Sequence, residues 1–104
     1  RERLGGVAHV LQRVVDDAGR EFAQARQSWR EGDDEAAARM LHALRGGVGS
    51  VGAKRFAQAS QALEKEIKAA HSREQLERSF SQTGAELDAA LDAARAWLDS
   101  YRAG

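Results

Sequence analysis

Apolar residues return at every third or fourth position along almost the whole chain, and no proline interrupts them. That spacing is the period of one face of an α-helix. No segment alternates with a period of two, and β-branched residues are few, so strands are not expected. Alanine, Glu, Arg, Gln and Leu fill most positions, and all are strong helix formers. The first helix is predicted from Leu4 to Trp29, through Val7, Val10, Leu11, Val14, Val15, Ala18, Phe22 and Ala25. Gly19 is where it would bend or break, since an interior glycine costs about 1 kcal/mol. Glu31-Gly32-Asp33-Asp34 stops it, with Gly32 as a C-cap and Asp33 or Asp34 as the next N-cap. A second helix starts near Asp34, with Ala37, Met40, Leu41, Leu44 and Val48 as its stripe. A third covers Ala53 to Ala70, through Phe56, Ala59, Leu63 and Ile67. Ser72, with Gln75 three residues on, has capping-box spacing. The last helix then runs from Arg73 to about Tyr101 through Leu76, Phe80, Leu87, Leu91, Ala94 and Leu98, with Gly84 inside it. Four amphipathic helices joined by short turns predict an all-α, antiparallel four-helix bundle, with Phe22, Trp29, Phe56, Phe80 and Trp97 as core or rim aromatics.

A chain of 104 residues is the size of one domain with one modest core. Sixteen basic and sixteen acidic residues cancel. That balance argues against a nucleic-acid surface and against a basic helix lying on a membrane. There is no cysteine, hence no disulfide framework and no thiolate zinc site. No apolar run approaches the roughly 18 residues that span a bilayer. The chain starts at Arg1 without a signal-peptide pattern, which reads as a domain cut from a longer protein in the cytoplasm.

One stretch stands apart. Residues 41–53 read LHALRGGVGSVGA. Gly47 to Gly52 match G-x-G-x-x-G, but that fingerprint needs a preceding strand, and residues 35–45 are strongly helical. The phosphate-loop pattern also fails, because Ala53 stands where lysine is required. Gly46, Gly47, Gly49 and Gly52 would together cost roughly 3–4 kcal/mol inside a helix. Yet Val48 and Val51 continue the apolar stripe, so the helix is expected to run into the glycines. On a helical wheel His42 lies roughly 155° from the centre of that stripe, on the outer face. Glu35, Ala38, Arg39, Arg45, Gly46 and Gly49 surround it. An imidazole near its ordinary pKa offers one free ring nitrogen as a nucleophile at neutral pH. It can accept a phosphoryl group, and Arg45 one turn on can bond the phosphoryl oxygens. Gly46 and Gly49 leave room for a bulky partner.

Residues 42–53 resemble the signature of histidine-containing phosphotransfer (HPt) domains. That signature reads His, any residue, aliphatic, Lys or Arg, Gly, two small residues, two variable ones, aliphatic, Gly, small. Val48 departs from it, because Ala or Ser is commoner there, and Arg45 stands where lysine is usual. The resemblance implies a four-helix bundle with an accessory N-terminal segment. It implies that His42 carries the phosphoryl group on Nε2, taken from one receiver-domain aspartate and passed to another. Arg45 would stabilise the phosphoryl charge, while Gly46, Gly49 and Ala38 would clear the receiver's approach. Glu64 matches the position that orients the imidazole, and Arg39 and Glu35 would border the docking face. Receiver domains are the implied partners. Magnesium would belong to the receiver, with no cofactor in this chain. The missing start methionine suits a hybrid sensor kinase as the parent chain, which could be anchored in the inner membrane; a stand-alone phosphotransfer protein and the N-terminal P1 domain of a chemotaxis-type kinase are the other versions of the same chemistry.

The remaining polar residues read as structural. His9 has no Arg-Gly neighbour, and His71 falls in a junction. Asp16, Asp17, Asp33 and Asp34 read as solvated faces and caps, and no His/Asp/Glu cluster has metal-ligand spacing. The alternative is a helical interaction module, in which the glycines serve close helix packing. The face on which Gly46 and Gly49 sit separates the two readings.

Overall fold

The computed structural model describes the backbone over residues 2–49 and 53–103, and the side chains over 6–48 and 53–103. Four helices make up the described residues: α1 (Glu2–Arg30), α2 (Asp34–Gly49), α3 (Lys54–Lys68) and α4 (Arg73–Ala103). No strand occurs among the described residues. Each helix packs on its neighbours around a ring, α1 on α2, α2 on α3, α3 on α4 and α4 on α1. The helices are therefore antiparallel in chain order, the four-helix bundle expected from the spacing. No described helix is long and apolar enough to cross a membrane.

The stops are local chemistry. At the end of α1, Asp33 N–H donates to Ser28 O (2.9 Å) and Gly32 N–H to Trp29 O (3.0 Å), with Gly32 at φ +90°. This is a Schellman cap, in which glycine takes the left-handed position. Asp33 Oδ1 then accepts from Ala36 N–H at 3.1 Å and caps α2. The end of α3 repeats the pattern without a glycine. His71 N–H donates to Glu66 O (3.2 Å), Ala70 N–H to Ile67 O (3.1 Å), and Ala70 stands at φ +55°. Ser72 Oγ caps α4 by accepting from Gln75 N–H at 3.2 Å. The Gln75 side chain reaches Glu66 instead of closing a reciprocal box.

The core runs the length of the molecule. Phe22, Trp29, Phe56 and Phe80 form its aromatic centre, with Phe80 in ring contact with both Phe22 and Trp29. Leu41, Leu63 and Leu87 are fully buried beside them. Three sequence expectations shift. Met40 is 39% exposed, and Ala36 is buried on α2 instead, so the stripe is centred on Ala37, Leu41, Leu44 and Val48. Val7 and Val10 are exposed although they keep helical phase. And α1 passes through Gly19 as one continuous helix.

The helices are unequal. α1 and α4 have 29 and 31 residues, whereas α2 and α3 have 16 and 15. At about 1.5 Å per residue the long pair spans roughly 45 Å and the short pair roughly 23 Å. The molecule is 48 Å long and 19 by 18 Å across. It is thus a four-helix bundle over about half its length and a two-helix pair over the rest. The accessory N-terminal segment is the first half of α1, continuous with the bundle helix.

Candidate functional site

α2 presents its inner face through Ala37, Leu41, Leu44 and Val48, all buried. His42 therefore falls outward, with 71% of its side chain exposed. Across from it α3 buries Ser60, Leu63, Glu64 and Ile67. Glu64 lies at the edge of that stripe facing α2, and only 10% of its side chain is exposed. Ser60 Oγ donates to Leu41 O at 3.5 Å, the residue before His42, and ties the two helices at this level.

Three charged or titratable groups meet here. Arg45 Nη2 lies 2.8 Å from His42 Nδ1. Glu64 Oε1 lies 3.5 Å from the same nitrogen, and Glu64 Oε2 is 3.6 Å from Arg45 Nε. A guanidinium only donates, so Nδ1 accepts from Arg45, and the proton of a neutral ring sits on Nε2. Nε2 has no protein partner among the described residues. Glu64 Oε2 is buried and accepts no hydrogen bond. A buried carboxylate needs charge compensation, and Arg45, itself largely covered, is the cation that supplies it.

The surroundings of the histidine are low. Ala38, four residues before it, is half-buried. Gly46, four residues after it, is exposed, and a Cβ built there meets nothing within 4 Å. Gly46 shares the outer face with His42 and does not touch another helix. Glu35 and Arg39 are exposed on the adjacent positions of α2. Gly49 closes α2, but its surroundings, like Val51 and Gly52, lie outside the described residues.

The structure thus brings His42, Arg45 and Glu64 together and leaves Gly46 open beside them. His9 and His71 are exposed on other elements, on α1 and in the α3–α4 turn. Among the described residues no group of His, Asp and Glu could hold a metal ion. Sequence reasoning missed Ser60. Its signal was there, a polar residue in phase with Phe56, Leu63 and Ile67, but a small hydroxyl at a core position reads as filler until its acceptor is known.

A search of curated proteins and a search of solved structures found no match. The family model of the Hpt domain matches residues 9–97. That match covers all of α2 and α3, most of α1 and most of α4, and the chain belongs to the Hpt domain family, whose work is histidine phosphotransfer in two-component phosphorelays.

Proposed function

We propose that His42 is the phosphoryl-carrying residue of this chain, and that it shuttles the group between aspartates of two receiver domains. Hpt domains are phosphocarriers and meet the receiver domains of response regulators. The observation that carries the assignment to His42 is its placement. It is the exposed histidine with a buried carboxylate and a guanidinium on one ring nitrogen and open solvent at the other.

In the forward step the Nε2 lone pair attacks the phosphorus of an aspartyl phosphate. The N–P bond forms as the bond from phosphorus to the aspartate oxygen breaks, and the aspartate leaves as a carboxylate with that electron pair. Nε2 must be unprotonated for this, so the ring proton belongs on Nδ1 at that moment. Glu64 Oε1 is placed to accept it, 3.5 Å away. Arg45 blocks this in the resting geometry, since its Nη2 holds Nδ1 as an acceptor. Turning Arg45 off Nδ1 does two things. It lets Nδ1–H point at Glu64, and it frees a guanidinium to pair with the incoming phosphoryl oxygens. The ring proton exchanges through solvent at the exposed edge. Transfer to the second aspartate is the reverse of the first step. Gly46, Ala38 and Gly49 leave the approach clear, Glu35 and Arg39 border the docking surface, and magnesium stays with the receiver.

The test is phosphotransfer from a radiolabelled phospho-receiver. Acid-labile, base-stable label on the wild type and none on His42→Gln is the expected result. Label retained on His42→Gln would move the site elsewhere. No label from several receivers onto folded wild type would favour a binding module in its place.

A further inference from the structure

We propose that the overhanging half of the α1–α4 pair is a self-association face, on which a second copy of the chain lays the same face across a two-fold axis and completes a second four-helix layer. The argument starts from where α2 and α3 end. Arg55, at the start of α3, pairs with Glu86 at 3.6 Å. Phe56 meets Phe22 with ring centroids 6.4 Å apart. Among the described residues only α1 and α4 continue toward the chain ends from Phe22 and Glu86, for 20 and 17 residues, or roughly 30 and 25 Å.

Over that length the two helices bury one seam between them, including Leu11, Val15, Leu91 and Leu98. The sides that α2 and α3 cover further along are left open. On α1 that side is marked by Ser28, whose Oγ contacts Met40 of α2. Val10 lies 18 residues earlier, five whole turns, and so points the same way. It is 54% exposed, Val7 on the same side is 53% exposed, and Val14 is half-buried. On α4 the side is marked by Ser79, which bonds Glu66 of α3 at 2.7 Å. Trp97 lies 18 residues later, again five turns. It is 41% exposed and stacks on half-buried Tyr101, centroids 5.4 Å apart and planes within 9°.

On α4 charge is segregated to match. On the open side of α4, Ala89, Ala90, Ala93, Ala96, Trp97 and Ser100 succeed one another without a charged residue. Arg95, Asp99 and Arg102 fall on the opposite side, where with Gln12 and Asp16 they line an open cleft of about 430 Å³ between α1 and α4. On α4 one side of the overhang is therefore built for water and the other is not, whereas on α1 Arg13 and Asp17 flank Val10.

The occupant follows from continuity. Along the four-helix half, this face of α1 and α4 is covered by a layer of two antiparallel helices. The overhang of a second copy is such a layer, with the same length and the same uncharged face on α4. A two-fold axis makes that contact self-complementary and closed. Small alanines on α4 allow close approach, and Trp97, Val7 and Val10 supply bulk to fill it. A face of about 25 by 20 Å offers on the order of 500 Å² per copy, or roughly 1,000 Å² in total, the lower bound of a specific interface. The dimer is therefore reversible. His42 lies on α2 outside the overhang, so both sites stay open in the dimer, one in each outer half.

Sedimentation velocity over a concentration series tests this. The expected result is a concentration-dependent species of twice the 11.3 kDa chain mass. Trp97→Glu and Val10→Glu, both at exposed positions, should keep the helical signal and melting temperature of the dilute monomer and raise the dimer Kd roughly tenfold or more. Asp88→Lys, on the charged side, should leave the dimer intact. The chain has no cysteine, so Ala93→Cys gives a second readout, a disulfide-linked dimer under oxidation that forms faster than in the Trp97→Glu background. A monomer at every concentration overturns the proposal, as does a dimer that Trp97→Glu and Val10→Glu leave unchanged. A monomer that instead captures an unrelated amphipathic helix on this face overturns the choice of occupant.

Discussion

At the scale of the residue, the site is three side chains with competing claims on one nitrogen. Arg45 Nη2 sits 2.8 Å from His42 Nδ1, nearer than Glu64 Oε1 at 3.5 Å. The resting ring should therefore hold its proton on Nε2. Nitrogen NMR of labelled His42 should find the Nε2–H tautomer dominant in the wild type and the Nδ1–H tautomer gaining in Arg45→Ala, where Glu64 is the remaining partner. No change of tautomer would remove Arg45 from this role. Gly46 separates stability from access. It is exposed in the last turn of α2 and a Cβ there meets nothing. Gly46→Ala should stabilise the fold by about 0.5–1 kcal/mol. Gly46→Gln should fold as well as Gly46→Ala yet slow phosphotransfer, measured as transfer rate beside thermal melting. The histidine, the arginine and the glycine were all legible in the local pattern of residues 42–46. The family resemblance named Glu64 as the orienting residue, but its own segment does not show that it is buried and faces the ring, since a glutamate two places before Glu66 on a charged helix reads equally well as solvated. Only the packing of α3 on α2 makes it a partner.

At the scale of the element, glycine and its absence show how packing and conformation revise propensity. By propensity alone Gly84 is a cost inside α4. A Cβ there would stand 3.1 Å from Phe22 Cε2, and that ring is already held by Phe56 and Phe80. Gly84→Ala should therefore forfeit the helix-propensity gain and destabilise by roughly 1 kcal/mol, whereas Gly19→Ala, with nothing within 4 Å, should stabilise by about as much. Urea melts of the two variants give the comparison. Ala70 is the opposite case. It takes a left-handed backbone, φ +55°, to close α3. That conformation costs a residue with a Cβ roughly 1–2 kcal/mol, so Ala70→Gly should raise stability by about 1 kcal/mol in the same assay. The α1 stop was readable because Gly32 announces it. The α3 stop carried only the serine cap that follows, because Ala70 gives no sign of its backbone angle.

At the scale of the whole molecule, α1 and α4 are tied by an ion-pair network at the closed end of the bundle. Arg30 and Arg26 both bond Glu77, at 2.9 and 2.7 Å. Hydrogen bonds from Arg30 first, and then from Arg26, pull the Glu77 carboxyl down to about 2 from an ordinary 4.5. A carboxyl depressed in the folded state stabilises above its unfolded pKa and loses that contribution as protons bind. This contribution should be intact above about pH 4.5 and vanish as pH falls toward about 2. Acid titration of helical signal should show wild type and Glu77→Gln converging across that window. The apolar spacing and the missing proline determined four helices, their antiparallel order and an outward histidine, because helical period and short turns are local properties. The apolar spacing did not reveal that Met40, Val7 and Val10 are exposed, that Glu64 is a buried partner, or that half the bundle has only two helices. Those depend on where α2 and α3 end against the longer pair, and the register of one helix on another is set by contacts between residues far apart in the chain.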